Sequence, residues 1–209
     1  TVTLSSTVNG ASAGVGTLAV NSTGVVSVSG IVGGTATLLG LTITNSGGTT
    51  FSLAVSATTV TLTATTGTIT FSGALVATTL SPAAAGYNLA LNGGCTITNA
   101  VAFLNTGTLT IGDATADTST FNGGLTATAP SSVTIAGAIA TSNDAVSLGD
   151  AGTPVAVTAS TTTSISTGTQ TITIGGALTI GSGSTLTLTN TNTVTLSSTV
   201  NGASAGVGT

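Results

Sequence analysis

The side chains that could do acid or base chemistry in this 209-residue chain are four aspartates, because Lys, Arg, His and Glu are all absent. Asp113 and Asp117 are close enough in sequence to form an acid/base pair. Both belong to the stretch Gly-Asp-Ala-Thr-Ala-Asp, which reads as a loop after a predicted strand at residues 108–111. We therefore expect a structural or solvated role for this pair rather than a catalytic one.

Other routes to catalysis or metal binding lack their usual partners. A nucleophilic Ser or Thr would have no His, Lys or Glu as its base, and no site of the His-carboxylate type can form. Gly112-Asp113 and Gly149-Asp150 resemble isolated fragments of a calcium-binding nonapeptide repeat. A single ion near Asp144 and Asp150 stays open. We expect no enzymatic activity and no catalytic, cofactor-binding or metal-binding residues.

Three further positions carry weaker signals. Cys95 is the only cysteine, so we expect a small buried side chain, with a bridge between fibres as the alternative. The stretch Asn21-Ser22-Thr23 matches an N-glycosylation sequon, and Ser and Thr could carry O-linked sugars. Tyr87 is the single tyrosine and would be an isolated platform for stacking a sugar ring. Glycans therefore remain candidate partners.

Charge and hydropathy exclude several classes of protein. Without cations the chain has no means of neutralising phosphates, so nucleic acid is not a partner. The uninterrupted apolar runs are a few residues long, far short of the roughly 20 that a membrane-spanning helix needs. Abundant Val, Ile and Thr argue against disorder. With a net charge of −4 the chain has little colloidal repulsion, which favours self-association.

Strict alternation of Thr with aliphatic residues dominates the sequence and predicts short β-strands. The clearest cases are residues 60–63, 68–71, 108–111, 171–174, 185–188 and 193–196. Turn signals separate these segments, and all are able to supply positive φ: Asn9-Gly10, Gly33-Gly34, Gly47-Gly48, Asn92-Gly93-Gly94, Asn122-Gly123-Gly124, Gly175-Gly176 and Gly181-Ser182-Gly183. No segment has a helical apolar stripe, so the chain is predicted to be all-β.

Strands of this kind are compatible with a solenoid, a string of sandwiches or a barrel. Aromatic residues make up 2% of the chain, too few for a wide sandwich core but suited to a narrow interior of stacked aliphatics. Neutral Thr, Ser and Asn can also stack on themselves every 4.8 Å or so, whereas like charges would repel. We predict a parallel β-solenoid with coils of about 20 residues. Nine or ten coils would then rise about 45 Å.

The last strands of the chain raise two specific expectations. Asn190 and Asn192 have the inward parity of the neighbouring aliphatics, so we expect a corner at residues 189–193, with Asn side chains capping backbone groups or stacked in a ladder. An ordinary Asn-rich surface turn is the alternative. The row Thr185, Thr187, Thr189, Thr191, Thr193 and Thr195 resembles the Thr arrays with which some ice-binding proteins order water. Ice binding would require that row to repeat in register on adjacent coils.

Residues Thr1 to Thr17 recur without a change at Thr193 to Thr209. We interpret residues 1–192 as one tandem repeat of a solenoid and 193–209 as the start of the next, so that the chain is a window on a longer array. Thr193 should then occupy in the next period the place that Thr1 occupies in this one. The alternatives are a domain with duplicated tails or an engineered chain.

The stretches Gly107-Thr-Leu-Thr-Ile-Gly112 and Ile172-Thr-Ile-Gly-Gly-Ala-Leu-Thr-Ile-Gly181 resemble the repeats of giant secreted bacterial adhesins, the filamentous-haemagglutinin-like and β-strand-repeat surface proteins. The resemblance implies a β-helical shaft, export to the cell surface and roles in adhesion. We expect an extracellular structural fibre that contacts copies of itself, through the next repeat and through lateral association. The alternative is an ice-binding or carbohydrate-binding adhesin module.

Overall fold

Twenty-four short strands and no helix occur in residues 1–63 and 66–203, the part of the chain that the computed structural model describes. No helix there is long and apolar enough to cross a membrane. The strands are β1 (Val2–Leu4), β2 (Thr17–Asn21), β3 (Val26–Val28), β4 (Leu38–Asn45), β5 (Thr49–Phe51), β6 (Val55–Leu62), β7 (Thr68–Phe71), β8 (Leu75–Pro82), β9 (Asn88–Leu91), β10 (Cys95–Ile97), β11 (Val101–Ala102), β12 (Thr108–Ile111), β13 (Thr118–Phe121), β14 (Leu125–Ala127), β15 (Ser132–Ile135), β16 (Ala138–Ala140), β17 (Val146–Leu148), β18 (Val155–Val157), β19 (Thr162–Gly168), β20 (Ile172–Ile174), β21 (Leu178–Ile180), β22 (Thr185–Asn190), β23 (Val194–Leu196) and β24 (Val200–Gly202).

These strands form three parallel sheets, which confirms the predicted all-β solenoid. Two of the sheets run from the first strands to the last, and the five-stranded sheet begins at β11. The ten-stranded sheet has the order β1-β3-β5-β7-β9-β12-β15-β18-β21-β24. The nine-stranded sheet has the order β2-β4-β6-β8-β10-β13-β16-β19-β22, and the five-stranded sheet the order β11-β14-β17-β20-β23. Each strand thus pairs with the strands one coil before and one coil after it.

Coil length follows directly from the register of the ten-stranded sheet. Val2 pairs with Val26, whereas Ile69 pairs with Leu89, so the first coil is longer than the fourth. Nine such steps of unequal length lead from Val2 to Val200. The ninth coil ends at Val200, past residue 194, so one period of 192 residues takes slightly fewer than the predicted nine or ten coils, because most of the coils are longer than predicted.

The two smaller sheets are joined through long strands in the first half of the shaft. The beginning of β8, residues 75–77, pairs with β10, while β8 as a whole also contacts β11. The strand β6 pairs with β8 along nearly its whole length. The ends of these long strands therefore continue the column of the five-stranded sheet towards the beginning of the chain.

The core is a set of inward columns in which aliphatic and aromatic side chains stack coil upon coil. One column of the ten-stranded sheet runs through Phe51, Phe71 and Leu91, which are all at most 1% exposed. The rings of Phe51 and Phe71 stack with centroids 4.9 Å apart and an interplanar angle of 6°. This separation follows the spacing of adjacent parallel strands, roughly 4.8 Å, so the backbone dictates the ring geometry.

Glycines occupy corners for two different reasons. Gly94 has a φ of 71°, as its turn signal predicts, and a Cβ there would lie 2.2 Å from the carbonyl oxygen of Thr118. Gly176 does not have a positive φ, although its turn signal is able to supply one. A Cβ at Gly176 would lie 1.9 Å from the carbonyl oxygen of Thr153. This second corner needs glycine because two segments of backbone approach each other closely.

The two identical segments do not occupy equivalent places in the coil. Val2–Leu4 belongs to the ten-stranded sheet, whereas its copy Val194–Leu196 belongs to the five-stranded sheet. The expectation that Thr193 takes the place of Thr1 is therefore wrong. The physical reason is coil length, since the ninth coil from Val2 ends at Val200, past Val194, the copy of Val2. Residues 204–209 of the second copy lie outside the described residues.

Candidate functional surfaces

The outer face of the ten-stranded sheet carries a column of hydroxyl groups in register. In each paired triplet of this sheet the middle side chain faces outward and its two neighbours face the core, because side chains alternate across a strand. Seven of the ten middle positions are Ser or Thr. The column is Thr3, Ser27, Thr50, Thr70, Ala90, Thr110, Thr134, Ala156, Thr179 and Asn201. A charge at any of these positions would stack close to its neighbours, which gives the near absence of charge a physical reason.

The predicted row of six threonines at the end of the chain is divided between two sheets. Thr185, Thr187 and Thr189 lie on β22 and pair with Thr162, Ser164 and Ser166 of β19. One coil earlier, β16 continues these columns with Ala138 and Ala140. Beyond the corner, Thr195 pairs with Thr173 on the five-stranded sheet. On the nine-stranded sheet the hydroxyl pattern thus repeats in register over two coils. On the five-stranded sheet it repeats over four coils, because Ser147 and Thr126 continue the column of Thr173 and Thr195.

The expected corner with capping asparagines is confirmed between β22 and β23. The side-chain amide of Asn190 donates hydrogen bonds to the carbonyl oxygens of Gln170 and Thr193, both at 3.0 Å. Asn192 donates in the same way to the carbonyl oxygen of Thr169 at 3.1 Å. Asn190 thus bonds both to the coil beneath and within its own turn.

Asp113 and Asp117 are brought together as a loop-stabilising pair. One carboxylate oxygen of Asp117 accepts hydrogen bonds from the backbone amides of Asp113 and Ala114, at 2.8 and 2.7 Å. Desolvation and the neighbouring Asp117 raise the pKa of Asp113. A raised pKa means that folding favours the protonated form, so this group contributes stability in acid that is lost as the pH rises. These two hydrogen bonds hold the turn between β12 and β13.

Asp144 and Asp150 are not brought together. Asp144 precedes β17 and Asp150 follows it, so the strand separates the two carboxylates. Asp150 accepts a hydrogen bond from the amide of Gly152 at 2.8 Å in a tight turn. Asp144 lines an open groove of about 450 Å³ together with Asn143 and Gln170. The described residues contain no cluster of three metal-ligating side chains, and the geometry assembles no ligand set for the single ion left open at these aspartates.

Cys95 is buried in the nine-stranded sheet, where it stacks between Leu75 and Ser119. Its side chain is 3% exposed, as expected of a small apolar residue. Burial raises the pKa of the thiol to about 12, so that the reactive thiolate is scarce at neutral pH. In the folded coil Cys95 therefore lacks the exposure that a bridge between fibres would need.

The buried acids predict a loss of stability in alkali. The folded chain holds the Cys95 proton up to about pH 12, whereas an unfolded thiol loses it near its ordinary value of 9.0. The unfolded state then binds fewer protons, so the free energy of unfolding should fall by about 1.4 kcal/mol per pH unit across this window. Burial also raises the pKa of Tyr87, which adds to the loss at higher pH. Denaturant unfolding measured from pH 7 to 11 tests this.

The control for the alkaline effect is Cys95→Ala. This variant should remove the fall that begins near pH 9 and leave the later contribution of Tyr87. If the fall near pH 9 is unchanged in Cys95→Ala, the Cys95 thiol is not its cause. That result would contradict the prediction, since Cys95 is the cysteine that the described residues contain.

Aromatic side chains are not available on the surface. Tyr87 is fully buried and its hydroxyl lies 3.4 Å from the carbonyl oxygen of Leu62. The four phenylalanines, at positions 51, 71, 103 and 121, are at most 1% exposed. Stacking of sugar rings on aromatic platforms is thus not supported by the structure. Asn21 of the sequon is exposed at the end of β2.

Asn143 and Asn105 are two corner residues with structural roles that the sequence pattern does not mark. Asn143 has a φ of 76° and its side-chain oxygen accepts a hydrogen bond from the amide of Thr169 at 2.7 Å, one coil away. Asn105 is buried, and its side-chain amide donates to the carbonyl oxygens of Tyr87 and Thr108. The tolerance of Asn for positive φ is the signal that could have found Asn143. Asn105 does not have a positive φ, and only its place in the turn before β12 marks it.

Comparisons of the chain with protein-family models, with curated proteins and with solved structures give no match.

Proposed function

We propose that this chain is a length of an extracellular structural fibre, a tandem β-solenoid at the cell surface that supplies mechanical extent and durability. The observation that carries the proposal is the seam between the two copies. Ile172 pairs with Val194, and Leu178 pairs with Val200, so the start of the second copy continues the sheets of the first. A tandem array could grow in this way without a linker.

Hydrogen bonds at the seam support a continuous shaft. The amides of Ile172 and Leu178 donate to the carbonyl oxygens of Thr193 and Thr199, at 3.1 and 2.8 Å. On the far side of each strand, the amides of Ser197 and Ala203 donate to Ile174 and Ile180, at 3.0 and 2.8 Å. A shaft joined in this way leaves unpaired sheet edges only at its ends, which limits uncontrolled strand pairing.

Composition supports durability outside the cell. No Lys or Arg is present, so trypsin has no cleavage site, and the aromatic residues that other proteases favour are buried. The surface is neutral and rich in hydroxyl groups, with little repulsion between neighbouring fibres. These properties suit a polymer that acts through its length and its contacts with copies of itself.

Protease resistance and imaging test the proposal. The native chain should resist a broad-specificity protease for far longer than the same chain unfolded in denaturant, which is the matched control. Electron micrographs of an array of several periods should show a filament of uniform width. The rise should be about 42 Å per period, because a period of 192 residues takes eight coils and about two-thirds of a ninth at about 4.8 Å per coil. Rapid digestion of the native chain, or beads on a string, would argue against a continuous shaft.

The in-register hydroxyl columns favour ice binding as a second candidate function. Thr187 and Ser164 are neighbours on adjacent coils, as are Thr195 and Thr173, and such repeats are what an ice-ordering face requires. Ala90 and Ala156 interrupt the longest column. Measurements of thermal hysteresis and ice-crystal shape decide the matter, and the absence of both would remove this candidate.

A further inference from the structure

The seam joins two periods on different sheets. The first copy begins on the ten-stranded sheet with Val2–Leu4. The second begins with Val194–Leu196 on the five-stranded sheet and reaches the ten-stranded sheet only at Val200–Gly202. The two identical segments thus begin on different sheets of the coil.

Coil lengths account for this displacement. From Val2 to Leu178 the ten-stranded sheet advances by eight coils, and the chain then crosses β22 on the nine-stranded sheet before it reaches Val194. We call the side of the shaft that one sheet forms a face. One period therefore takes eight whole coils and then advances by two further faces. Each coil has three faces. The same segment would therefore return to the same face only after three periods, which together make a whole number of coils.

All three sheets can accept the same segment because they have the same alternation. The triplets Ile172-Thr173-Ile174 and Leu178-Thr179-Ile180 both place two aliphatic side chains inward and one Thr outward. The segment Val194-Thr195-Leu196 matches either triplet. The packing of these side chains therefore does not determine on which face the segment lies. The number of residues that the corners take up determines it.

We propose that in a tandem array each period docks on the last coil of the previous period one face out of phase, so that successive periods are turned by a third of a turn about the shaft. The inference rests on the proposed tandem fibre and specifies how its periods meet. The docking surface is the edge formed by β20, β21 and β22, and its partner is the beginning of the next copy.

This rotation changes what the fibre presents to its surroundings. A surface patch carried by one face of one period, such as the hydroxyl column of the ten-stranded sheet, would point in three directions over three periods. Lateral contacts with copies of the same fibre would then be available on every side of the shaft.

Pairs of cysteines in the full chain test the displacement, in a Cys95→Ala background that removes the native thiol. The out-of-phase seam places Thr195 beside Thr173, so Thr173→Cys with Thr195→Cys should be joined by a short bifunctional thiol reagent. The in-phase alternative would place Thr195 beside Thr179, so Thr179→Cys with Thr195→Cys is the opposing pair. The first pair should react at least about tenfold faster, because effective concentration falls steeply with separation.

Thr110→Cys with Thr134→Cys, an in-register pair within the shaft, is the positive control. Faster joining of the opposing pair would overturn the displacement and leave the fibre intact. If neither seam pair reacts while the control pair does, the start of the second copy is not docked. That outcome would overturn this inference and also remove the observation that carries the proposed fibre.

Discussion

Replacement of Phe71 by alanine should lower the free energy of unfolding by about 3–5 kcal/mol, the usual range for emptying a buried aromatic site. Phe71 is fully buried and its ring stacks on that of Phe51. Neighbouring coils cannot collapse into the cavity, since backbone hydrogen bonds on both sides of β7 fix their spacing. Denaturant unfolding followed by circular dichroism measures the loss.

The matched control for this prediction is Thr70→Ala on the same strand. Its side chain faces outward between Thr50 and Ala90, so the change should stay within about 0.5 kcal/mol. Because each coil contacts only its neighbours, hydrogen exchange in Phe71→Ala should speed most in β5, β7 and β9. Equal losses in the two variants would contradict a close-packed interior that distinguishes the two faces of the strand.

The alternation of Thr with aliphatics was sufficient to predict six strands in which apolar residues alternate with Thr. All six of the clearest predicted segments fall on β6, β7, β12, β20, β22 and β23. Some strands that the pattern did not mark have Ser or Ala in place of the outward Thr, as in β17 and β18. Others have a small or polar residue at an inward position. Thr49 in β5, Cys95 in β10 and Ser119 in β13 are examples, all at most 3% exposed. A hydrophobic pattern cannot distinguish such positions from solvated ones.

Partners elsewhere in the fold make some of these inward polar residues tolerable. The hydroxyl of Thr49 donates a hydrogen bond to that of Ser46 at 2.9 Å, and the hydroxyl of Thr167 donates to the carbonyl oxygen of Gln170 at 2.7 Å. Each bond satisfies a group that would otherwise cost about 1–3 kcal/mol when buried. The partners lie three residues away across a turn, so the need for them becomes apparent only when the corners are known.

Coil phase was the second feature that the sequence pattern could not predict. An apolar-x-apolar triplet fits each of the three sheets, and the coils vary in length because their corners differ. The same uncertainty affected the candidate surface. The threonine row at the end of the chain looked continuous, but the corner stabilised by Asn190 and Asn192 divides it between two sheets. The spacing of Thr residues along one strand is set by the local sequence. The alignment of Thr residues on adjacent coils depends on the length of every corner between them.

Corners are therefore where a single substitution should do damage comparable to that of a core cavity. Gly94→Ala should lower the free energy of unfolding by about 3 kcal/mol or more, because two costs combine. The φ of 71° costs a residue with a Cβ about 1–2 kcal/mol. That Cβ would also lie 2.2 Å from the carbonyl oxygen of Thr118, which belongs to the next coil.

Two further variants separate these costs by the same unfolding measurement. Gly86→Ala is the matched control, since the nearest atom to its new Cβ would be the hydroxyl of Thr106 at 4.0 Å, and its effect should stay within about 0.5 kcal/mol. Gly94→Asn retains a residue that tolerates positive φ but still introduces the Cβ. We expect Gly94→Asn to recover only part of the loss, because Asn relieves the cost of the positive φ but not the close approach to Thr118. A recovery of most of the stability with Asn would show that backbone conformation, rather than the close approach of adjacent coils, requires glycine at this corner.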